Sequence, residues 1–437
     1  MSRNSVIEGL SFRKHANAIA DESALVQIAN RGELFQLTYD QLTRHLLAIG
    51  NSGFGKTVAL LQIAEQLREK ASPNDVFIFF DTKGDYLQRL RRPTDAVISY
   101  NTNEATVFWN IYADILADGV QDEQLYDNAY EISTMLYQGK IQRSPNPFFP
   151  NAARDIMMGL LFSFAKQGVE DSSFREQLLH NQALAEFFRT KFTVANIVRE
   201  LRQYDLTESI IPNIAGSQTD NTMNPQSQGV ISEASAVGRE ILKGAFAQKG
   251  KFSVRKFIRS KGAKALFVEY DMQRGNTLLP IYRTLCDIAL KEAMSRNTNT
   301  GGGRVYIFMD ELKLLPNLQY LENAINFGRG MGVSIIAGLQ SSSQIQETYG
   351  EHAARSIVDS FGTAMIFNTS NAETRKTVAG RVGKQVRIDD VVTGRRIEEK
   401  ERISDVLEDW HITCLDKGYC IVHSIGDEPY LFKFPNR

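Results

Sequence analysis

The chain has 437 residues, 43% of them apolar and 23% charged, a balance that excludes a disordered or fibrous chain and leaves room for more than one domain. Fifty basic against fifty-one acidic side chains leave a net charge of −1, so no global field attracts nucleic acid and any such contact must come from a local basic lining. Cys286, Cys414 and Cys420 stand in no CxxC and no Cys/His ligand spacing, and read as reduced thiols of a cytoplasmic protein.

The opening stretch, MSRNSVIEGLSFRKHANAIADE, mixes charge and polarity without the apolar core of a signal peptide, and MSRNSVIEG reads as a natural N-terminus. Residues 1–45 are expected to form a lead-in packed on the main domain. LLAI (46–49) is the first of a series of continuous apolar runs: VFIFF (76–80), ALFVEY (265–270), VYIFM (305–309), VSIIAG (333–338) and AMIFN (364–368). Runs without alternation suit parallel strands buried on both faces. Helical patterns lie between them, among them VALLQIAEQLREK (58–70) and LLPIYRTLCDIALKEAMSR (278–296). The expected class is α/β with a parallel-dominated sheet.

One interval interrupts this alternation. From 114 to 224 the periodicity is helical, in QLYDNAYEISTMLYQ, NAARDIMMGLLFSFAKQ, QALAEFFRT and VANIVRELRQY, punctuated by PNPFFPN (145–151). It reads as an all-α domain inserted in an α/β domain whose two parts are 46–113 and 225–437. The polar stretch GSQTDNTMNPQSQG (216–229) reads as a mobile loop, and NTNTGGG (297–303) as a flexible turn. The longest apolar stretch, IMMGLLFSFA, is about half a membrane span. The chain is therefore expected to be soluble.

Two short motifs carry chemistry. GNSGFGKT (50–57) fits the phosphate-binding pattern GxxxxGK[ST] between a buried strand and a helix. The backbone of Gly50, Asn51, Ser52, Gly53, Phe54 and Gly55 would surround phosphate oxygens, Lys56 would reach the β- and γ-phosphates of ATP, and Thr57 would hold Mg²⁺. Phe54 is bulky for such a loop, and is read as a harmless variant or as a contact to nucleotide or neighbour. RVYIFMDE (304–311) is a buried strand ending in two acids. Asp310 would bind Mg²⁺ through water and Glu311 would activate the attacking water, which implies hydrolysis. Farther on, Gln340 ends a strand where a polar side chain can sense the γ-phosphate. Arg329, among Gly328, Gly330 and Gly332, reads as an arginine finger reaching a neighbour's ATP, against the alternative of a solvated surface charge.

In order, RHLLAIGNSGFGKT, FIFFDTKGDY, FSVRKFIRSKGAKALFVEYD and VYIFMDELKLLPNLQYLENAINFGRGMGVSIIAGLQSSSQIQETYG resemble the type IV secretion coupling proteins, the TraD/TraG/TrwB-like ATPases of the HerA/FtsK motor class. The resemblance covers about residues 32–437. It implies a RecA-like P-loop motor domain with an inserted all-α domain, a homohexameric ring with ATP between subunits, and DNA in the central channel. It also implies roles for Lys56, Thr57, Asp310, Glu311, Gln340 and Arg329 as above, and places Arg44 near a nucleotide, where a plain strand-flanking charge is the equal alternative. A relaxase or other substrate protein and a membrane-embedded secretion component are the further implied partners. Family members usually carry N-terminal transmembrane helices, absent here. That leaves a cytoplasmic protein, either held peripherally at the inner membrane by a partner or derived from a longer chain. DNA contacts are sought in 216–229 and in the RSKGAK turn (259–264). The runner-up readings are a secretion motor for protein cargo, a HerA-like DNA motor outside conjugation, and a docking platform whose ATP only holds the ring together.

Overall fold

The structure, a computed structural model, describes residues 5–214, 225–295, 302–393 and 396–436. Its strands in chain order are β1 (Ser5–Glu8), β2 (Ala24–Asn30), β3 (Glu33–Thr38), β4 (Leu46–Ile49), β5 (Val76–Asp81), β6 (Ala96–Ile98) and β7 (Lys264–Glu269). They continue with β8 (Val305–Met309), β9 (Val333–Leu339), β10 (Thr363–Ile366), β11 (Lys384–Thr393), β12 (Arg396–Asp405), β13 (Tyr419–Ser424) and β14 (Tyr430–Lys433).

Nine of them form one sheet in the order β14-β13-β10-β4-β9-β8-β5-β7-β6. From β10 to β6 every neighbouring pair is parallel, and only β13 runs against the rest, pairing antiparallel with β10 and with the edge strand β14. The apolar runs of the sequence are the interior of this sheet, and β4, β5, β8 and β9 are buried at every residue. Alternation along β5 divides the core in two. Phe77 and Phe79 pack with Leu60, Ile63, Phe267 and Phe308 on the face covered by the helix Lys56–Glu69. Ile78 and Phe80 point the other way, into a core shared with the helices Asp122–Arg143, Phe148–Glu170 and Gly275–Ala293.

Helices fill the interval between β6 and β7 from Ile111 to Ser260, wider at both ends than the stretch of helical periodicity at 114–224. PNPFFPN does not stand outside the helix after it. Pro147 caps that helix and Pro150 sits in its first turn, where a missing N–H costs nothing. The expected mobile loop 216–229 is corrected at its end, because Pro225–Gly229 are the first residues of the helix Pro225–Ile241. Residues 216–224, and 297–301 of the expected flexible turn, lie outside the described residues. Arg255 ties the end of the interval back to its start, and Arg259 joins it to the motor side. Arg255 pairs with Asp118 (3.0 Å) and Glu131 (2.6 Å), and Arg259 with Asp118 and with Glu292 (2.7 Å) of the helix Gly275–Ala293.

Two small sheets accompany the large one. β2 and β3 form a hairpin, and β1 lies antiparallel on β11 of the long hairpin β11–β12. The ends of the chain meet on the P-loop side of the core. Phe35 of β3 touches Phe432 and Phe434 (ring centroids 5.8 and 5.0 Å), and the Pro435 carbonyl accepts from Gln62 of the helix Lys56–Glu69. Among the described residues, no helix is long and apolar enough to cross a membrane.

Candidate active site

Parallel strands put all their carboxyl ends on one side, so the loops after adjacent strands share one crevice. Here β5, β8, β9 and β4 are successive neighbours, and the loops after them carry DTKGD, Asp310–Glu311, Gln340 and GNSGFGKT. The pairing order thus gathers residues separated by up to 290 positions. Together they line a cleft of about 520 Å³ that includes Gly55, Lys56, Thr57, Asp310, Glu311 and Gln340.

The loop at 50–55 is shaped for close backbone approach. Gly50 has φ 147°, and a Cβ there would lie 2.8 Å from the Phe367 side chain, so only glycine fits. The Gly50 N–H donates to Leu339 O (3.1 Å) and the Asn51 N–H to Asn368 O (2.7 Å), fixing the loop to the ends of both flanking strands. Ser52, Gly53 and Gly55 line the cleft. The Phe54 ring is half-buried against the apolar core beside the helix Lys56–Glu69 and is not among the residues lining the cleft, as a harmless loop variant would be.

Lys56 is buried, and its Nζ donates to Gly50 O (2.6 Å) and Asn51 O (3.0 Å). Burial lowers its pKa, while the charges of Asp310 and Glu311 oppose that shift. The Thr57 hydroxyl donates to Asp310 Oδ2 at 2.7 Å, and Asp310 Oδ1 is buried without a partner. Burial raises the Asp310 pKa, opposed by that hydrogen bond and by Lys83 and Lys56. Gln340 Nε2 donates to Glu311 Oε2 (3.1 Å), leaving Glu311 Oε1 buried and unpartnered.

Two adjacent hard oxygen donors with a spare carboxylate oxygen fit Mg²⁺, which takes one or two protein oxygens and fills the rest of its shell with water and substrate phosphate. Among the described residues no cluster of three or more His, Cys, Asp or Glu could hold a metal, and all three cysteines are free thiols.

The structure adds residues that the motifs alone did not assign. Lys83 and Asp85, on the loop after β5, line the same cleft. Their loop is held by buried Asp81, whose carboxylate accepts from the N–H groups of Gly84 (2.9 Å) and Leu87 (2.8 Å). The signal was present, since DTKGDY comes after an apolar run as GNSGFGKT does. Lys417 also lines the cleft, from the loop before β13, with no motif around it.

Arg329 and Arg44 are not brought to this cleft. Both precede their strands, β9 and β4, whereas the cleft lies beyond the strands' carboxyl ends. Six residues separate Arg44 from Gly50, a path of about 20 Å if extended. The two arginines meet each other instead: Asp40 accepts from Arg44 Nη2 (2.6 Å) and from Arg329 Nη2 (2.7 Å). Arg329 is 55% exposed, and Phe327 beside it is 68% exposed. The RSKGAK turn lies at this end too, leading into β7, with Gly262 N–H donating to Pro73 O and Ala263 N–H to Asp75 O.

The type IV secretion-system coupling protein DNA-binding domain family matches residues 32–394. Coupling protein TraD of Escherichia coli (strain K12) is 22% identical over 376 residues, which is 81% of this chain and 48% of TraD. The chain thus spans about half the length of the curated relative it matches. Among solved structures, the bacterial conjugative coupling protein TrwBdeltaN70 in its trigonal form with sulphate superposes with a TM-score of 0.77 at 20% identity, covering 99% of this chain and 95% of that one. TrwB in complex with the non-hydrolysable ATP analogue ADPNP gives 0.75 at 20% identity, again over 99% and 95%. These likenesses show the fold. The family match spans most of the sequence, from β3 to the end of β11, and so settles the kinship: the chain belongs to the type IV secretion-system coupling protein DNA-binding domain family.

Proposed function

We propose that this chain is an ATP-hydrolysing motor that moves DNA through a homo-oligomeric ring, a hexamer, in conjugative transfer. The observation that carries the reading is the division of the site between the two ends of one sheet. Lys56, Thr57, Asp310, Glu311 and Gln340 converge at the carboxyl ends, and exposed Arg329 and half-buried Arg44 stand at the opposite end. Arg89 lines the cleft but is paired with Glu65 at 3.1 Å, and neither Arg329 nor Arg44 reaches its own cleft, so these two can serve a nucleotide held there only from a second copy. Supporting it, TrwB, which shares the fold, has been captured with an ATP analogue and with ADP and Mg²⁺.

In this mechanism the loop 50–55 cradles the phosphates with its N–H groups, and Lys56 leaves the Gly50 and Asn51 carbonyls for the β- and γ-phosphates. Thr57 and Asp310 would hold Mg²⁺, which would supply positive charge against the phosphates. Glu311, turned by Gln340, takes a proton from the water that attacks the γ-phosphorus, so that ADP leaves and phosphate is released. Arg329 of the adjoining copy neutralises the transition state. The motor comprises 46–113 and 225–437, with residues 1–45 as a lead-in, and the all-α insertion at 114–224 is where a relaxase or other substrate protein docks. Attachment to a membrane-embedded secretion component would place the ring at the inner membrane. Moving a strand without reading its sequence demands contacts to phosphates, and these weaken steeply with salt.

Mixing two inactive variants tests the reading. Lys56→Ala and Arg329→Ala are each expected to lose DNA-stimulated ATPase activity. In a 1:1 mixed ring about a quarter of interfaces pair an intact Lys56 with an intact Arg329, so part of the activity returns. Arg329→Ala protein that turns over ATP normally would overturn the shared site. Wild-type turnover indifferent to DNA would leave the ATPase and replace DNA by a protein cargo.

A further inference from the structure

Away from the cleft, a cavity of about 720 Å³ opens between the helical interval and the helix Gly275–Ala293. Leu136 and Phe149 contribute apolar wall, and Gly139, Arg143 and Arg283 line it as well. Arg283 is 2% exposed, yet it makes no ion pair or hydrogen bond among the described residues, and its Nε is buried without a partner. Its guanidinium lies against Gly139, where a Cβ would sit 2.3 Å from Nη1, so that glycine makes the room it occupies. Asp287, one turn along the same helix, does not close on it. That carboxylate accepts from the Tyr320 N–H (3.0 Å) and forms no ion pair with Arg283. Lys140, on the cavity's rim, is already paired with Glu233 at 2.9 Å.

A buried guanidinium with no acceptor destabilises the fold strongly unless something supplies the missing oxygens. Arg143 lines the same cavity and has no carboxylate partner among the described residues, and its charge adds to the burial that lowers the Arg283 pKa. The lining also holds one carboxylate without an ion pair among the described residues, Glu240, and Asp287 lies near Arg283. Two guanidiniums without ion pairs thus leave the half-apolar cavity basic by about one charge, a receptor for a planar or tetrahedral oxyanion carrying an apolar body. We propose that this cavity is a binding site for a small organic phosphate, held by Arg283 and Arg143 and separate from the ATP cleft. A ligand there touches both the helical interval and a motor helix, and so reports on how the two are seated. A free phosphate ester is favoured over a nucleic-acid strand because Arg283 is withdrawn from the surface, beyond the reach of a continuous backbone.

The test uses inorganic pyrophosphate as probe, with the full chain carrying Lys56→Ala so that the P-loop is silenced. Calorimetric titration at fixed ionic strength is expected to find one pyrophosphate bound per chain. Adding Arg283→Met is expected to weaken that binding by about tenfold or more, as for loss of a charge-assisted hydrogen-bonded pair. The same variant is expected to melt no lower than its parent, since it removes an unpaired buried charge. Should it fail to fold, Arg143→Gln, an exposed position, reads the same loss. No pyrophosphate bound in the Lys56→Ala chain, or binding indifferent to both arginines, overturns the proposal. So does a loss confined to a short single-stranded oligonucleotide, which would assign the arginines to DNA instead. The cavity is independent of the motor's chemistry, and neither result bears on ATP hydrolysis.

Discussion

Glu311 and Asp310 are adjacent in sequence and differ in surroundings, as the roles proposed for them require. Asp310 is tied to the Thr57 hydroxyl, whereas Glu311 answers to the Gln340 amide and keeps one oxygen without a partner. Glu311→Gln keeps the shape and the hydrogen bond and removes the base. It is expected to bind ATP normally, by fluorescent-nucleotide titration, while turnover falls about 10²–10⁴-fold. At the other end of the sheet, Asp40 holds both arginines in the single chain, each pair at least one-third exposed on both sides. Exposed pairs contribute little, so Asp40→Asn should change stability by less than about 1 kcal/mol. Freed of that carboxylate, Arg329 should engage a neighbour more readily, which predicts a lower protein concentration for half-maximal ATPase rate. An unchanged concentration dependence would show that Asp40 does not compete with the neighbour's phosphate. The P-loop and the DE pair were legible in the sequence because local spacing carries their chemistry. The Asp40–Arg329 pair was not, since it joins residues 289 positions apart that only strand order brings together.

At the scale of elements, β4 is preceded by a histidine with one workable protonation state. His45 Nε2 lies 2.9 Å from Ile325 O and its Nδ1 accepts from the Ile335 N–H at 3.0 Å, so the ring must be neutral, with its proton on Nε2. Burial lowers its pKa from 6.5 to about 4. The unfolded chain therefore binds the proton first on acidification. The stability this imidazole contributes is complete above pH 6.5 and is lost as pH falls toward 4, by about 3 kcal/mol at most. Urea unfolding from pH 7.5 downward should show the decline, and the His45 imidazole resonance should not move until about pH 5. A resonance that titrates near 6.5 would refute the buried tautomer. The strands that read clearly, β4, β5, β8 and β9, are those covered on both faces, so that hydrophobicity alone marks them. The polar hairpin KQVRIDDVVT and RIEEKERISD escaped because its strands are rich in charged residues and carry no continuous apolar run. β6 escaped because a three-residue run is too short to show a period.

Across the whole molecule, β3 and the C-terminal strand β14 with the residues after it close beside the helix after the P-loop. Phe434, 1% exposed, wedges between Phe35 and Phe432. Phe434→Ala is expected to cost about 3–5 kcal/mol in chemical unfolding, and nucleotide affinity should fall with it because Gly418, beside Phe434, donates to Phe54 O of the loop. Destabilisation without any change in affinity would separate the end-to-end packing from the phosphate loop. The lead-in 1–45 was expected to pack on the main domain, but its partners Phe432 and Phe434 were not legible, since they lie near the opposite terminus.

β4 itself is four residues long, buried throughout, with the phosphate loop at one tip and Arg44 just before the other. A segment that short, locked on both sides by its neighbours, behaves as a stiff connecting rod. If the proposed hydrolysis relaxes the loop, such a rod would pass the displacement on to the arginine tip. Copies joined tip to loop would then discharge in turn around the circle, each one cocked by the neighbour that has just gone.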